Sequence, residues 1–164
     1  MSGIEYGVPR ISLQAPPGKV FPLLCPVREY EWIEAWQCEI LNSESGIAEK
    51  DCVFRTRFPG ESSDEVWIIS LFEPNTKIEF VRVNALRTMC LSITLIANDD
   101  GTTRAVNEQL LVGLTEQGNQ SLDKIAERFS FEMRMGEAML NHYLTTGKRL
   151  SLRHAIAIAS KQIK

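Results

Sequence analysis

The feature that most constrains this chain is a change of hydrophobic period. From Trp36 to Leu114 it reads as strands: Trp36–Asn42, Asp51–Phe58, Glu65–Phe72, Lys77–Asn84, Thr88–Ala97 and Thr102–Leu114. Turn signals fall between most of these runs, at Ser43-Glu44-Ser45-Gly46, Pro59-Gly60, Glu73-Pro74-Asn75 and Asn98-Asp99-Asp100-Gly101. The last is the strongest, because Asp-Gly supplies the positive φ that tight hairpins need. This spacing predicts an antiparallel meander. Beyond Leu114 the period becomes helical, with Leu122, Ile125, Ala126, Phe129, Met133, Leu140, Tyr143 and Leu144 on one face. Asn119 or Ser121 can cap its start and Gly147 can end it in a left-handed turn. The expected helix has about 23 residues and is roughly 35 Å long.

The N-terminal part completes the pattern. Ile4–Gln14 reads as a strand, and Pro9, which has no N–H to donate, places it at a sheet edge. Ala15-Pro16-Pro17-Gly18 ends it, and Pro17 can open a helix. Lys19–Leu24 is then a short helix, Pro26 breaks it, and Val27–Trp32 makes a second short turn or helix. The expected fold is α+β: a seven-stranded curved antiparallel sheet wrapped around one long C-terminal helix, with two short helices after strand 1. One helix cannot cover strands of this length, so part of the concave face is expected to stay open as a cavity.

At 164 residues, 44% hydrophobic and 24% charged, the chain can bury a core and is not globally disordered. Cys25, Cys38, Cys52 and Cys90 show no metal-ligand or redox spacing, so no metal and no cofactor are expected. Met1–Arg10 lacks the apolar stretch of a signal peptide, and no run reaches the ~18 apolar residues of a membrane span. The expectation is a reduced, cytoplasmic protein. The net charge of −3 and the lack of a Gly-rich phosphate loop speak against nucleic acid and nucleotide partners.

The charge is unevenly placed. Glu137 is the last acidic residue, and Lys148, Arg149, Arg153, Lys161 and Lys164 follow it, so the last 27 residues carry +5 and residues 1–137 carry −8. Leu152, Ala155, Ile156, Ala159 and Ile163 recur at helical spacing within this tail. The chain therefore divides into a domain at 1–147 and a basic amphipathic tail at 148–164. The tail is expected to dock on its own acidic domain or on a second copy in a homodimer. Peripheral contact with an anionic membrane is the less favoured reading.

The element order, from Ile4 to about Gly147, resembles the START-like superfamily, also called SRPBCC or helix-grip. That group includes polyketide cyclases and dehydrases, plant pathogenesis-related class 10 proteins and Hsp90-activator-like proteins. Local marks are Ala15-Pro16-Pro17, Val20-Phe21, Leu24, Trp32 and Phe72-Glu73-Pro74. The run Cys25–Trp32 and the closing Leu140–Gly147 look like an uncharacterised bacterial branch. The resemblance implies a hydrophobic or lipid-like small molecule held between sheet and helix, and it brings over no catalytic motif.

Strand alternation nominates the residues that face such a molecule. Cys52, Phe54, Thr56 and Phe58 share one face of their strand, as do Trp67, Ile69 and Leu71, then Ile78, Phe80 and Arg82, then Met89, Leu91, Ile93 and Leu95. From the helices, Phe129 and Met133 face the sheet, and Tyr30 and Trp32 lie at the rim that the kinked segment forms in this fold. An inward Arg82 needs a partner, and Glu108 on the last strand can supply it. The candidate ligand-binding set is Tyr30, Trp32, Phe54, Trp67, Ile69, Phe80, Arg82, Met89, Leu91, Ile93, Glu108, Phe129 and Met133. Glu29 and Glu31 invite an acid–base reading, although solvated helix residues look the same in sequence. His142 and His154 lack the partners of a triad.

Three functions fit. The preferred one is binding of a hydrophobic or aromatic small molecule with no covalent chemistry. The second is a cyclase or dehydratase in which a Tyr, Arg or Glu polarises a carbonyl. The third is a protein-interaction role like that of the Hsp90-activator-like relatives. Fold alone does not choose among them.

Overall fold

A computed structural model describes residues 4–6, 8–58 and 63–162, the first three by backbone alone. Pro59-Gly60, Ile163 and Lys164, named above, lie outside the described residues. The strands are β1 (Ile4–Tyr6), β2 (Arg10–Leu13), β3 (Cys38–Asn42), β4 (Val53–Thr56), β5 (Glu65–Glu73), β6 (Lys77–Val83), β7 (Arg87–Ala97) and β8 (Thr103–Gly113). The helices are α1 (Pro17–Val20), α2 (Glu116–Thr146) and α3 (Leu152–Lys161), with short 3-10 turns at Phe21–Leu24 and Glu29–Glu31. One antiparallel sheet runs β1-β8-β7-β6-β5-β4-β3, and β2 also pairs with β8. The expected first strand is thus broken at Pro9 into two segments, both on the β8 edge.

The free side of β2 is closed by α2. Glu137 accepts the Ser12 N–H at 2.7 Å, and Asn141 accepts the Gln14 N–H and donates to the Ser12 carbonyl, both at 2.8 Å. These bonds satisfy an edge that would otherwise invite pairing with another chain. They also fix α2 along β2 and β8.

The long helix begins earlier than its apolar stripe suggests. Thr115 is the cap, accepting the Gly118 N–H, and the helix runs 31 residues to Gly147, whose φ of 67° ends it as expected. Its first turn, Glu116-Gln117-Gly118-Asn119, has no apolar residue and so gives no periodic signal. Gly118 is required there: a Cβ would stand 1.9 Å from the Leu86 carbonyl oxygen.

The tail packs against α2. Ala155 and Ala159 are buried, the Leu152 N–H donates to Glu34 at 2.6 Å, and Arg134 donates to Gln162 at 3.3 Å. None of the described helices is long and apolar enough to cross a membrane.

Candidate functional site

Antiparallel register lays the inward-facing side chains out in rows across the concave face. One row runs Phe54, Trp67, Arg82, Met89 and Leu111 from β4 to β8. The next runs Ile69, Phe80, Leu91 and Gln109. Past the first row, Thr56 stands opposite Glu65, and Asn84 and Arg87 close the β6–β7 turn.

The aromatic residues of these rows form a wall. Phe54 stacks on Trp67 with centroids 5.3 Å apart, and Phe80 meets both edge-on at 6.3 and 5.8 Å. Trp36 adds an edge contact to Trp67 at 6.1 Å. The Trp67 indole N–H donates to Thr56 Oγ1 at 2.8 Å, which fixes the ring's orientation.

A charged cluster borders this wall. Arg82 donates to Glu65 through Nε at 3.0 Å and through Nη2. Asn84 Nδ2 and Arg87 Nη2 donate to the other Glu65 oxygen, each at 3.0 Å. The Glu65 side chain is 2% exposed and that of Arg82 16%. A carboxylate this deep is tolerable because cations and an amide surround it. The Arg82 guanidinium also lies 4.0 Å over the Trp67 ring, a cation–π geometry.

Two further carboxyls bear on Arg82. Glu29, in the 3-10 turn of the kinked segment, is half-buried and makes no side-chain hydrogen bond among the described residues. Burial pushes its carboxyl well above the usual range, with the Arg82 charge opposing that shift. On α2, Glu132 pairs with Arg128 at 3.2 Å. Burial raises its carboxyl too, against Arg128 and Arg82. Glu31 behaves in the opposite way. Hydrogen bonds from Arg28 and from the Tyr143 hydroxyl lower it to about 2.

The structure brings Phe54, Trp67, Ile69, Phe80, Arg82, Met89 and Leu91 together on the concave face, buried or nearly so, with Ile93 half-buried beside them. Phe129 is buried against the same core and Met133 is half-buried on it. Trp32 is buried, with its indole donating to the Leu23 carbonyl at 2.9 Å.

Two residues fall elsewhere. Glu108 pairs in register with Ser92 and is exposed on the convex side, because Asn107 and Gln109 take the inward positions of β8. The partner of Arg82 is therefore Glu65 and not Glu108. Tyr30 is 43% exposed, held by its hydroxyl donating to the Cys38 carbonyl at 2.9 Å and accepting the Cys38 N–H at 2.8 Å. It lines an outer recess of about 510 Å³ with Cys38, Glu39, Arg55, Arg57 and Asp64.

Sequence reasoning missed Glu65 and Gln109, and left Glu29 open between an acid–base role and a solvated one. The signal for Glu65 was present, since it shares the parity of Trp67 and Ile69. No group of three or more metal-ligating side chains lies together among the described residues.

Solved structures share this fold. Ara h 8.0201 superposes with a TM-score of 0.58 at 15% identity, over 88% of this chain and 100% of its own. The chain has the helix-grip fold. The same fold relates it to CalU16 from Micromonospora echinospora, with a TM-score of 0.57 at 11% identity over 98% and 94% of the two chains. DynU16, a protein of the dynemicin biosynthetic locus, matches with a TM-score of 0.57 at 18% identity. That match covers 90% of this chain and 49% of DynU16, so the present chain spans about half of it. No protein-family model and no curated protein sequence matches the chain.

Proposed function

We propose that this protein binds a hydrophobic or aromatic small molecule between the concave face of the sheet and α2, with the ligand's polar end directed at Arg82. The observation that carries the reading is an apolar aromatic wall interrupted by the inward Arg82 guanidinium, itself held by Glu65 and stacked on Trp67. Pockets for small molecules combine an apolar lining with a few placed polar groups, and this face has that composition. The helix-grip fold supports the same reading by analogy alone.

Native mass spectrometry of the purified chain, followed by organic extraction and identification of what is released, tests it. The expected result is a bound mass of a few hundred daltons that is lost on extraction and recovered on add-back. A chain that carries nothing and shows no fluorescence change with any flat aromatic compound contradicts it.

Glu29 favours a second reading, carbonyl chemistry of the cyclase or dehydratase type. A carboxyl that burial holds above its usual range keeps its proton to higher pH than an ordinary one, and that proton can pass to a ligand oxygen that Arg82 also polarises. The two readings separate on turnover. The second predicts a product that Glu29→Ala no longer forms although binding persists.

A further inference from the structure

Two strong donors on the concave face end on a poor acceptor. Arg82 Nη1 lies 3.5 Å from Met89 Sδ, and Gln109 Nε2 lies 3.0 Å from the same sulfur. A thioether accepts hydrogen bonds only weakly. The other end of the Gln109 amide fares worse. Its Oε1 is buried without a hydrogen-bond partner among the described residues, in a residue 5% exposed. Turning the amide by 180° sets its oxygen against the sulfur, which has no proton to donate.

Buried polar atoms are nearly always paired, so one left unpaired requires a reason. Packing supplies none. Gln109 shares its row with Ile69, Phe80 and Leu91, and its neighbour Met89 packs with Leu111 and Leu122. A leucine at position 109 suits those surroundings better than an amide does. Arg82, by contrast, is held on its other edge by Glu65, so Nη1 is already aimed at this spot.

We propose that the Gln109 amide and Arg82 Nη1 form the recognition point for a ligand's donor–acceptor edge, a carboxamide, lactam or hydroxy-carbonyl, with the flexible Met89 thioether moving aside to admit it. The proposal rests on the concave face being a small-molecule site. Gln109 Nε2 and Arg82 Nη1 donate to the ligand's oxygen, and Gln109 Oε1 accepts from its N–H or O–H. Methionine suits the gating position, being unbranched and readily repacked. The apolar body of the ligand then lies against Trp67 and Phe80.

Tryptophan-fluorescence titration of the full chain with three probes tests this. 2-Naphthamide offers the full edge, 2-acetonaphthone an acceptor only, and naphthalene neither. The preference for amide over ketone, read as the ratio of their Kd values, is expected to fall about tenfold from wild type to Gln109→Leu. The Tm of that variant is expected to be no lower than that of wild type, since it removes an orphaned polar group. An unchanged ratio overturns the proposal and leaves the small-molecule reading standing. A Tm below wild type also overturns it, because Gln109 then serves the fold. Failure of all three probes to bind at millimolar concentrations overturns both.

Discussion

Arg82 stands opposite Trp67 across the β5–β6 pair and lays its guanidinium 4.0 Å over the indole ring. The contact joins the aromatic wall to the charged cluster, and Glu65 is the group that makes an inward arginine affordable at that point. Removing Glu65 therefore strands a nearly buried cation. Glu65→Ala is expected to destabilise the fold by about 3 kcal/mol, whereas Glu108→Ala, on the convex side, stays within about 0.5 kcal/mol. Urea denaturation of both variants checks the pairing. The reverse order of effects would mean that β8 faces the other way.

Glu31 ties the kinked segment to α2 through Tyr143, and its depressed pKa makes that tie pH-dependent. A carboxyl whose folded value is about 2, against an ordinary 4.5, contributes stability that is present above pH ~4.5 and is lost as pH falls toward ~2. Glu31→Gln is expected to flatten the stability profile over that window and to leave its slope above pH 5 unchanged. Chemical denaturation at half-unit pH intervals gives the comparison. Partial solvent exposure of the pair keeps the effect small.

Glu29 carries the opposite sign. Its folded pKa is raised, so the protonated form is the one the fold prefers. Stability is then full below the unfolded value and declines as pH rises through the folded one. Glu29→Gln, an uncharged near-isostere, is expected to match wild type near pH 4 and to exceed it in Tm at pH 8. Thermal melts at the two pH values decide the matter, and equal Tm values at pH 8 would show that Glu29 is not held in a disfavoured ionised state.

The start of α2 is a point of close approach. Gly118→Ala drives a methyl group into the Leu86 carbonyl, which is backbone and cannot rotate away. A loss of about 2 kcal/mol is expected, while Gly136→Ala, whose Cβ meets nothing within 4 Å, is expected to be neutral or stabilising. Equilibrium unfolding of the pair provides the check.

Most of the concave face was legible from alternation. The runs Cys52–Thr56, Ile78–Arg82 and Met89–Leu95 alternate cleanly because one face is apolar, and register carries every such residue inward together. β8 resisted the same reading because it has polar residues on both faces, Asn107 and Gln109 inside and Arg104 and Glu108 outside. With no apolar side to orient it, Glu108 looked as suitable for Arg82 as any carboxylate. Glu65 is hard to read from sequence for a different reason. Its parity was right, but an isolated carboxylate in a core is costly, and only the fold brings Arg82, Asn84 and Arg87 around it. Glu29 sits in a three-residue 3-10 turn, too short to have a period at all.

The tail shows how far charge alone can guide such a reading. Its +5 suggested a place against the acidic domain, yet what seats α3 on α2 is the pair of small buried residues Ala155 and Ala159, helped by the capped contact from Leu152 to Glu34. Arg153 and Lys161 remain exposed.

The central claim, that a small molecule binds at the Trp67–Arg82 end of the concave face, is tested most directly by NMR of the three indole N–H groups. Each has a distinct partner: Trp32 donates to Leu23, Trp36 to Pro26 and Trp67 to Thr56. Titration of 15N-labelled protein with 2-acetonaphthone is predicted to shift the Trp67 indole resonance saturably, with little change at Trp32. Saturable binding that leaves Trp67 unmoved would contradict the account.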